Sequence, residues 1–507
     1  MLSISCDSRE NKPYYLPLLL IISIVSHFPF VLKGFGEIDA TKIAVSVIDL
    51  LNHGSDAAFS NFYFSGVIPL YILYLKSSMK LLNYNYSYLP LVMNYTNAVV
   101  GTLIIIPAYL LIKQLFRNST IAFCSVLALI FAPSFYHSTI MGFPHLIAFF
   151  FLLVSLCCYL SGLDHTRKST VYYLMFLSCM FLTVAFLFKS DLVLASGIYI
   201  GFLFMRKEKD KGKITSTFLI ILISGVLFLL FRNLILGPSS ATTMSKEGMS
   251  KWYDYSLTIP TNPAYLIRQV KPIAYGAGLF TFFLGIFTFL FYLFKRRFDI
   301  VMFTISWAAL PILFWLVMIG NNARHNMITT LPLLVIIVTF FYQRAPRHAI
   351  VLTAILILGN FFITSPSFSI LTPSGNLFKS NRLLEDRILL FQSRAKEIAG
   401  IDEDKIVVLG YFHNPHVVFE LMRSTPSYEA VKIGREDYKM KLENKEYMFI
   451  YFVVVKPENM GEGIDIILDK YQLHNYVFTS AMYDLKPISD RGLKTKTLDV
   501  IIKRSTL

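Results

Sequence analysis

The feature that most constrains this chain is its succession of apolar segments, each about 20 residues long, which short polar loops separate. A helix of that length and composition spans the hydrocarbon core of a bilayer. Of the 507 residues, 55% are hydrophobic and only 16% are charged, whereas about a quarter of a soluble domain is charged. The sequence therefore predicts a polytopic α-helical membrane protein and argues against a soluble fold.

We predict about eleven transmembrane helices from these apolar segments. Their expected positions are 14–33, 90–112, 119–137, 143–162, 170–188, 190–205, 214–236, 273–294, 299–319, 326–343 and 347–365.

The loops between these segments predict the orientation of the chain. Basic residues are concentrated in every second loop, at 113–117, 167–168, 206–213, 295–297 and 344–347. The positive-inside rule assigns such loops to the cytoplasm. We therefore expect a multi-pass protein of the plasma (inner) membrane with a cytoplasmic N-terminus. The net charge of +15 is then explained by topology, and no nucleic-acid partner is expected.

The first outward loop, residues 34–89, is predicted to hold two juxtamembrane helices. In 41–52 the apolar residues Ile43, Val47, Ile48 and Leu51 recur at helical spacing. The second segment, 69–83, is too short for a comfortable span and carries two lysines. An amphipathic helix in the membrane interface suits such a segment.

The composition changes after Pro366, where an extracytoplasmic α/β domain is expected. We predict a transmembrane domain over 1–366, a linker over 367–380 and a soluble domain over 381–507. The soluble domain should contain helices at 382–399 and 463–471. Its predicted strands, which are rich in β-branched and aromatic residues, are 405–410, 447–455 and 498–503.

Several short motifs in the outward loops resemble those of GT-C glycosyltransferases. The motifs are the acidic run 35–44 that continues to 51–54, the aromatic and proline stretch 62–71, and Ala132-Pro133-Ser134. They resemble first-loop and boundary patterns of protein O-mannosyltransferases and of lipid A aminoarabinose transferases. Over roughly residues 14–345 the resemblance lies in the arrangement of helices and loops. Only the first loop also resembles the family in its short sequence motifs.

The resemblance implies an inverting transferase that moves a hexose or pentose from a polyprenyl-phosphate donor to an acceptor hydroxyl of a lipid, glycan or protein. A first-loop carboxylate would be the general base, because an alcohol needs to lose its proton as it attacks. Asp39 is the expected base and Glu37 the alternative, since the usual adjacent acidic pair is interrupted here by Ala40. Asp39 has two structural alternatives, as the N-cap of a helix starting at Thr41 or as an ion-pair partner of Lys42.

Outward cations are the candidates for binding the donor phosphate. Lys189 and Arg324 are the main ones, while Arg268 and Lys271 are weaker candidates for substrate contacts or are solvated surface residues. Lys189 could instead form a local ion pair with Asp191. His145 lies where some relatives carry a second acid, and it could contact substrate or be structural.

No cofactor or metal is expected from the sequence. The five cysteines show no zinc-type spacing, and the 139–145 loop has no carboxylate for a hard cation. The main alternative function is a transporter or flippase of lipid-linked glycans. A transporter should show internal repeats or ionisable residues at mid-membrane, and the sequence shows no such repeat.

Overall fold

The computed structural model describes residues 12–32, 34, 38–53, 68–206, 208–236, 263–317, 323–363, 406–411, 447–454, 476–485 and 495–504. The chain divides into two compact units. The first comprises Met1–Leu32, Tyr63–Leu75 and Leu91–Pro373, and the second comprises Lys33–Phe62, Lys76–Pro90 and Ser374–Leu507.

The described part of the chain is mostly helical. In chain order the helices are α1 Tyr15–His27, α2 Ile38–His53, α3 Pro69–Leu81, α4 Leu89–Phe116, α5 Ser119–Ile130, α6 Pro133–Ile140, α7 Pro144–Asp164, α8 Lys168–Phe188, α9 Gly197–Arg206, α10 Lys211–Leu236, α11 Pro263–Ala277, α12 Leu279–Phe294, α13 Phe298–Val317, α14 Met327–Arg344 and α15 Ala349–Ile363.

Several of these helices are long and apolar enough to cross a membrane. Among the described residues there are five such helices, and the number rises to seven if each of two bent helix pairs is counted as one span. Further apolar helices of 10–17 residues lie at Tyr15–Phe30, Phe298–Phe314 and Pro346–Asn360. The prediction of a helical membrane protein is confirmed, while the number of eleven spans stays a prediction.

Two predicted spans are sharply bent in the structure. The 119–137 segment forms α5 and α6, which meet at 60°, because Pro133 begins a new helix that cannot continue the earlier hydrogen-bond ladder. The 273–294 segment bends by 95° at Gly278, whose φ is +90°. A side chain is excluded there by Asn360, whose Oδ1 would lie 2.4 Å from an added Cβ.

The predicted span 190–205 is helical but is not one continuous α-helix. It consists of a 3₁₀ helix, Ser190–Ser196, followed by the ten-residue helix α9. Gly201 lets α9 lie directly against α13, because an added Cβ would meet Ser306 Oγ at 1.8 Å. Gly201 therefore allows a close approach of these two helices.

The two predicted helices of the first outward loop are present as α2 and α3. Helix α2 begins at Ile38, three residues earlier than expected, so that Asp39 lies inside its first turn. The interpretation of Asp39 as the N-cap of a helix starting at Thr41 is therefore wrong. The apolar residues Ile43, Val47 and Ile48 are buried as their spacing predicts.

Four strands of the C-terminal region form one sheet: β1 Ile406–Tyr411, β2 Tyr447–Val454, β3 Tyr476–Leu485 and β4 Thr495–Arg504. Their order is β1-β2-β4-β3. β1 and β2 are parallel, and the other two pairs are antiparallel. Three strands match the prediction, and β3 was missed. The linker 367–380 and the predicted helices at 382–399 and 463–471 lie outside the described residues.

One end of the helix bundle carries the predicted basic loops. There the Arg206 guanidinium donates to the Asp164 carboxylate at 3.1 Å and to the Gln114 carbonyl at 3.2 Å. The contacts join the ends of α4, α7 and α9. Because α7 is 21 residues long, its first residues lie about 30 Å away at about 1.5 Å per residue.

Candidate functional site

A small pocket lies at the opposite end of α7 from these basic loops. It is formed where α7 begins, where α8 ends and where α14 begins. The lining residues are His145, Lys189, Asp191, Leu192, Leu194, Pro311, His325, Met327 and Ile328. The cavity volume is about 10 Å³, which is the room that one water molecule needs.

His145 reaches the pocket from the second position of α7, and the loop before it is held firmly against α4. Asn97 is fully buried on α4, and its Nδ2 lies 2.6–3.0 Å from the carbonyl oxygens of Ser138, Met141 and Phe143. Gly142 gives the same loop its close approach, because a Cβ there would lie 2.3 Å from Met93 Cβ. The orientation of His145 is thus set by buried contacts.

Lys189 and Asp191 lie at the end of α8. Lys189 follows the last helical residue in an extended conformation, and Asp191 lies in the first turn of the 3₁₀ helix that comes next. The Lys189 ammonium is 3.5 Å from Asp191 Oδ2, so that the predicted local ion pair is present. Asp191 Oδ1 is buried and has no hydrogen-bond partner within the described part of the chain.

His325 belongs to a short 3₁₀ helix, Ala323–Asn326, that leads into α14. Asn326 anchors this junction, since its carbonyl accepts hydrogen bonds from the hydroxyls of Thr329 and Thr330. His145 Nε2 and His325 Nδ1 are 3.1 Å apart and share a hydrogen bond. Arg324 is the preceding residue on the same turn, but its side chain lies outside what the structure describes.

One ligand atom from each of His145, Asp191 and His325 can be chosen such that all three lie within 4.8 Å of one another. Two imidazoles and a carboxylate at this separation can hold a metal ion. The N-termini of α7 and α14 also meet here, and helix N-termini favour negatively charged ligands. The pocket therefore combines a fixed cation, two imidazoles and two helix N-termini.

The structure brings together some of the predicted residues and not others. His145 and Lys189 line one pocket. Lys271 is exposed on α11, with its ammonium 5.5 Å from the centre of the Tyr275 ring, as expected for a solvated surface residue. Glu37 lies outside the described residues. Of Asp39, Arg268 and Arg324 the structure describes only the backbone, in α2, α11 and the turn before α14.

Sequence reasoning missed His325 as a site residue and treated Asp191 only as a partner of Lys189. Each lies in a short loop that holds a predicted cation, Arg324 or Lys189. A rule that considers every polar residue next to such a cation would have found both.

Comparison by sequence gives no match, either to a protein-family model or to a curated protein. Comparison of structures does give matches. An archaeal oligosaccharyltransferase, AglB from Archaeoglobus fulgidus, solved with an inhibitory peptide and a dolichol-phosphate, is similar with a TM-score of 0.56 and 11% identity. The match covers 92% of this chain and 72% of that one.

A second similar structure is ArnT from Cupriavidus metallidurans bound to undecaprenyl phosphate. The TM-score is 0.57 at 11% identity, and the match covers 96% of this chain and 97% of that one. Both proteins are GT-C glycosyltransferases. The structural match confirms the resemblance noted in the sequence, and this chain has the fold of the GT-C superfamily.

Proposed function

We propose that this protein is an inverting glycosyltransferase that moves a sugar from a polyprenyl-phosphate donor to an acceptor hydroxyl at the outer face of the membrane. The observation that carries the proposal is the pocket at the end of the bundle opposite the basic loops. There Lys189 lies beside two histidines and two helix N-termini. The shared fold and the lipid phosphates bound by AglB and ArnT support the same donor class.

In the proposed reaction the acceptor hydroxyl attacks the anomeric carbon of the sugar. Asp39 takes the hydroxyl proton as the new C–O bond forms, and the bond from the sugar to the lipid phosphate breaks. The phosphate leaves with the bonding electron pair. A single displacement of this kind inverts the anomeric centre, as in the reaction of inverting glycosidases.

The leaving phosphate develops negative charge, which nearby cations stabilise in the transition state. Lys189 is our candidate for this role because it lines the pocket and its side chain is largely buried, with 12% exposed. Its partner Asp191 sits 3.5 Å away, a distance that leaves the ammonium able to turn toward a bound anion. Arg324 is a second candidate, since it adjoins His325 on the same turn.

The direct test is sugar transfer by the full chain reconstituted in membranes with a radiolabelled polyprenyl-phosphate sugar. We expect Asp39→Asn to lower the transfer rate by about 10²–10⁴, the usual contribution of a general base. The matched control is Asp49→Asn, which removes the same charge from the same helix and should leave transfer unchanged. Equal rates for Asp39→Asn and wild type would overturn the assignment of the base, and Glu37→Gln then tests the alternative.

The same preparation tests the transporter or flippase alternative. Proteoliposomes are loaded with the labelled lipid-linked sugar, and its movement between leaflets is measured in the absence of any acceptor. Movement without sugar transfer, when acceptors of the lipid, glycan and protein classes are all supplied, would favour the transporter. Transfer without movement would favour the enzyme.

A further inference from the structure

We propose that His145, Asp191 and His325 bind one divalent transition-metal ion, for which Zn²⁺ is the best match. The three residues come from three separate segments: the start of α7, the 3₁₀ helix after α8 and the 3₁₀ helix before α14. One ligand atom from each lies within 4.8 Å of the other two. This site goes beyond the proposed transfer reaction, because metal binding can be measured whether or not the protein transfers sugar.

The spacing of the two imidazoles fits a metal site. Nitrogen ligands about 2.0–2.1 Å from a tetrahedral Zn²⁺ lie roughly 3.3–3.4 Å from each other. His145 Nε2 and His325 Nδ1 are 3.1 Å apart, so that a small adjustment brings both nitrogens to that distance. On metal binding, the proton that lies between the two rings moves to the second nitrogen of its own ring, so that both facing nitrogens of the neutral imidazoles are free to bind the metal.

An unpartnered carboxylate oxygen of the cluster also indicates a missing ligand. Within the described residues, Asp191 Oδ1 is buried without a hydrogen-bond partner. A buried polar atom left unpaired costs about 1–3 kcal/mol. Asp191 can give Oδ1 to a metal and keep Oδ2 toward Lys189, 3.5 Å away. The cavity of about 10 Å³ between these groups is large enough for a single water molecule or ion.

The donor set selects the type of metal. Two imidazoles with one carboxylate suit Zn²⁺ and other first-row divalent ions, whereas Mg²⁺ and Ca²⁺ take oxygen ligands. Three protein ligands leave a fourth position open for water or an anion. Lys189 already offsets the Asp191 charge, so that the charge of the bound ion is largely uncompensated and attracts an anionic ligand such as phosphate.

This site replaces the expectation of a metal-independent protein. That expectation rested on the lack of a carboxylate between Thr139 and His145. The fold supplies the carboxylate from the loop after α8, 46 residues further along the chain than His145, and a second imidazole from before α14.

The experiment uses the full chain purified in detergent, stripped of metal with a chelator and titrated with Co²⁺. We expect one Co²⁺ per chain, with visible absorption bands of a tetrahedral or five-coordinate site that Zn²⁺ abolishes. His145→Gln, His325→Gln and Asp191→Asn should each weaken binding by tenfold or more. The matched controls are His165→Gln, in the loop after α7, and Asp299→Asn, in the first turn of α13, and both variants should bind as wild type does.

Two further measurements keep the test decisive if a variant folds poorly. His145→Asp retains a ligand and should restore much of the binding that His145→Gln loses. Zn²⁺ should also raise the Tm of the stripped wild type but not that of the Gln variants. Wild type that binds no more Co²⁺ than the His145→Gln, His325→Gln double variant would overturn the proposal. Transfer by a protein that takes up no metal would overturn this site alone, and metal uptake by an inactive protein would leave it standing.

Discussion

Two ion pairs of the same local pattern, a basic residue and an aspartate two positions later, lie in very different surroundings. Arg297 directly precedes α13 and Asp299 lies in its first turn, whereas Lys189 and Asp191 follow α8. Arg297 donates from Nε and Nη2 to the two oxygens of Asp299, each at 3.2 Å. Lys189 has a single 3.5 Å contact to Asp191 Oδ2, and Asp191 Oδ1 is unpaired within the described residues.

The difference shows what each pair is suited to. Both oxygens of Asp299 are used, and the two side chains are 37% and 23% exposed, as in an ordinary surface ion pair. The Lys189 and Asp191 side chains are only 12% and 17% exposed, and they face two histidines. In the buried Lys189–Asp191 pair one carboxylate oxygen still lacks a hydrogen-bond partner within the described residues. A buried polar atom of this kind can bind a ligand.

The largest effect that tests this comparison is expected from Lys189→Gln. Removing a cation that stabilises developing charge typically lowers kcat by about 10²–10³. Arg297→Gln removes the same charge from the Arg297–Asp299 pair, so that the rate of sugar transfer should stay within about twofold of wild type. The measurement is the initial rate of sugar transfer in reconstituted membranes at saturating donor.

A conservative variant separates charge from packing at the same position. Lys189→Arg keeps the positive charge and should recover part of the lost rate. If Lys189→Gln and Arg297→Gln slow transfer equally, or if Lys189→Arg is as slow as Lys189→Gln, the distinction between the two pairs has no functional meaning.

A smaller effect, on stability, is expected from Gly142→Ala in the loop that leads to His145. The added Cβ would meet Met93 Cβ at 2.3 Å and Asn94 Oδ1 at 2.9 Å, and overpacking of this kind costs about 1–3 kcal/mol. The control is Gly225→Ala on α10, where nothing lies within 4 Å of the added Cβ. Alanine is favoured over glycine inside a helix by about 0.5–1 kcal/mol.

The measurement is thermal unfolding in detergent. We expect Gly142→Ala to have a lower Tm than wild type, and Gly225→Ala to have a Tm equal to or higher than that of wild type. A lower Tm for Gly142→Ala would show that the pocket end of the bundle depends on the tight packing of the loop before His145. A Gly142→Ala protein as stable as wild type would show that this loop can shift, and that the position of His145 is not fixed by it.

The helical membrane fold could be predicted from the sequence because its signals are local. Apolar length gave most helices, and the spacing of Ile43, Val47 and Ile48 gave α2. The pair of Lys189 and Asp191 could also be predicted, since the two residues are only two positions apart. Local patterns did not reveal that Gly201 packs against Ser306, or that the 190–205 segment begins as a 3₁₀ helix.

The candidate site was harder to predict because its residues are far apart in sequence. His145 and His325 are separated by 180 positions, and only the packing of α7 against α8 and the start of α14 brings them together. The missing strand β3 has a similar cause. Tyr476–Leu485 mixes apolar and polar residues and is identified as a strand by its pairing with β4.

The smallest effect is expected from Asp299→Asn. This variant tests whether the Arg297–Asp299 pair is an ordinary surface ion pair. Partly exposed ion pairs contribute about 0–1 kcal/mol, and salt screens them. The free energy of unfolding should therefore fall by no more than about 1 kcal/mol, and the difference from wild type should shrink between low and high NaCl. A larger loss that salt does not change would mean that Asp299 is shielded from solvent as Asp191 is. The contrast between the two pairs would then rest on the neighbouring histidines alone.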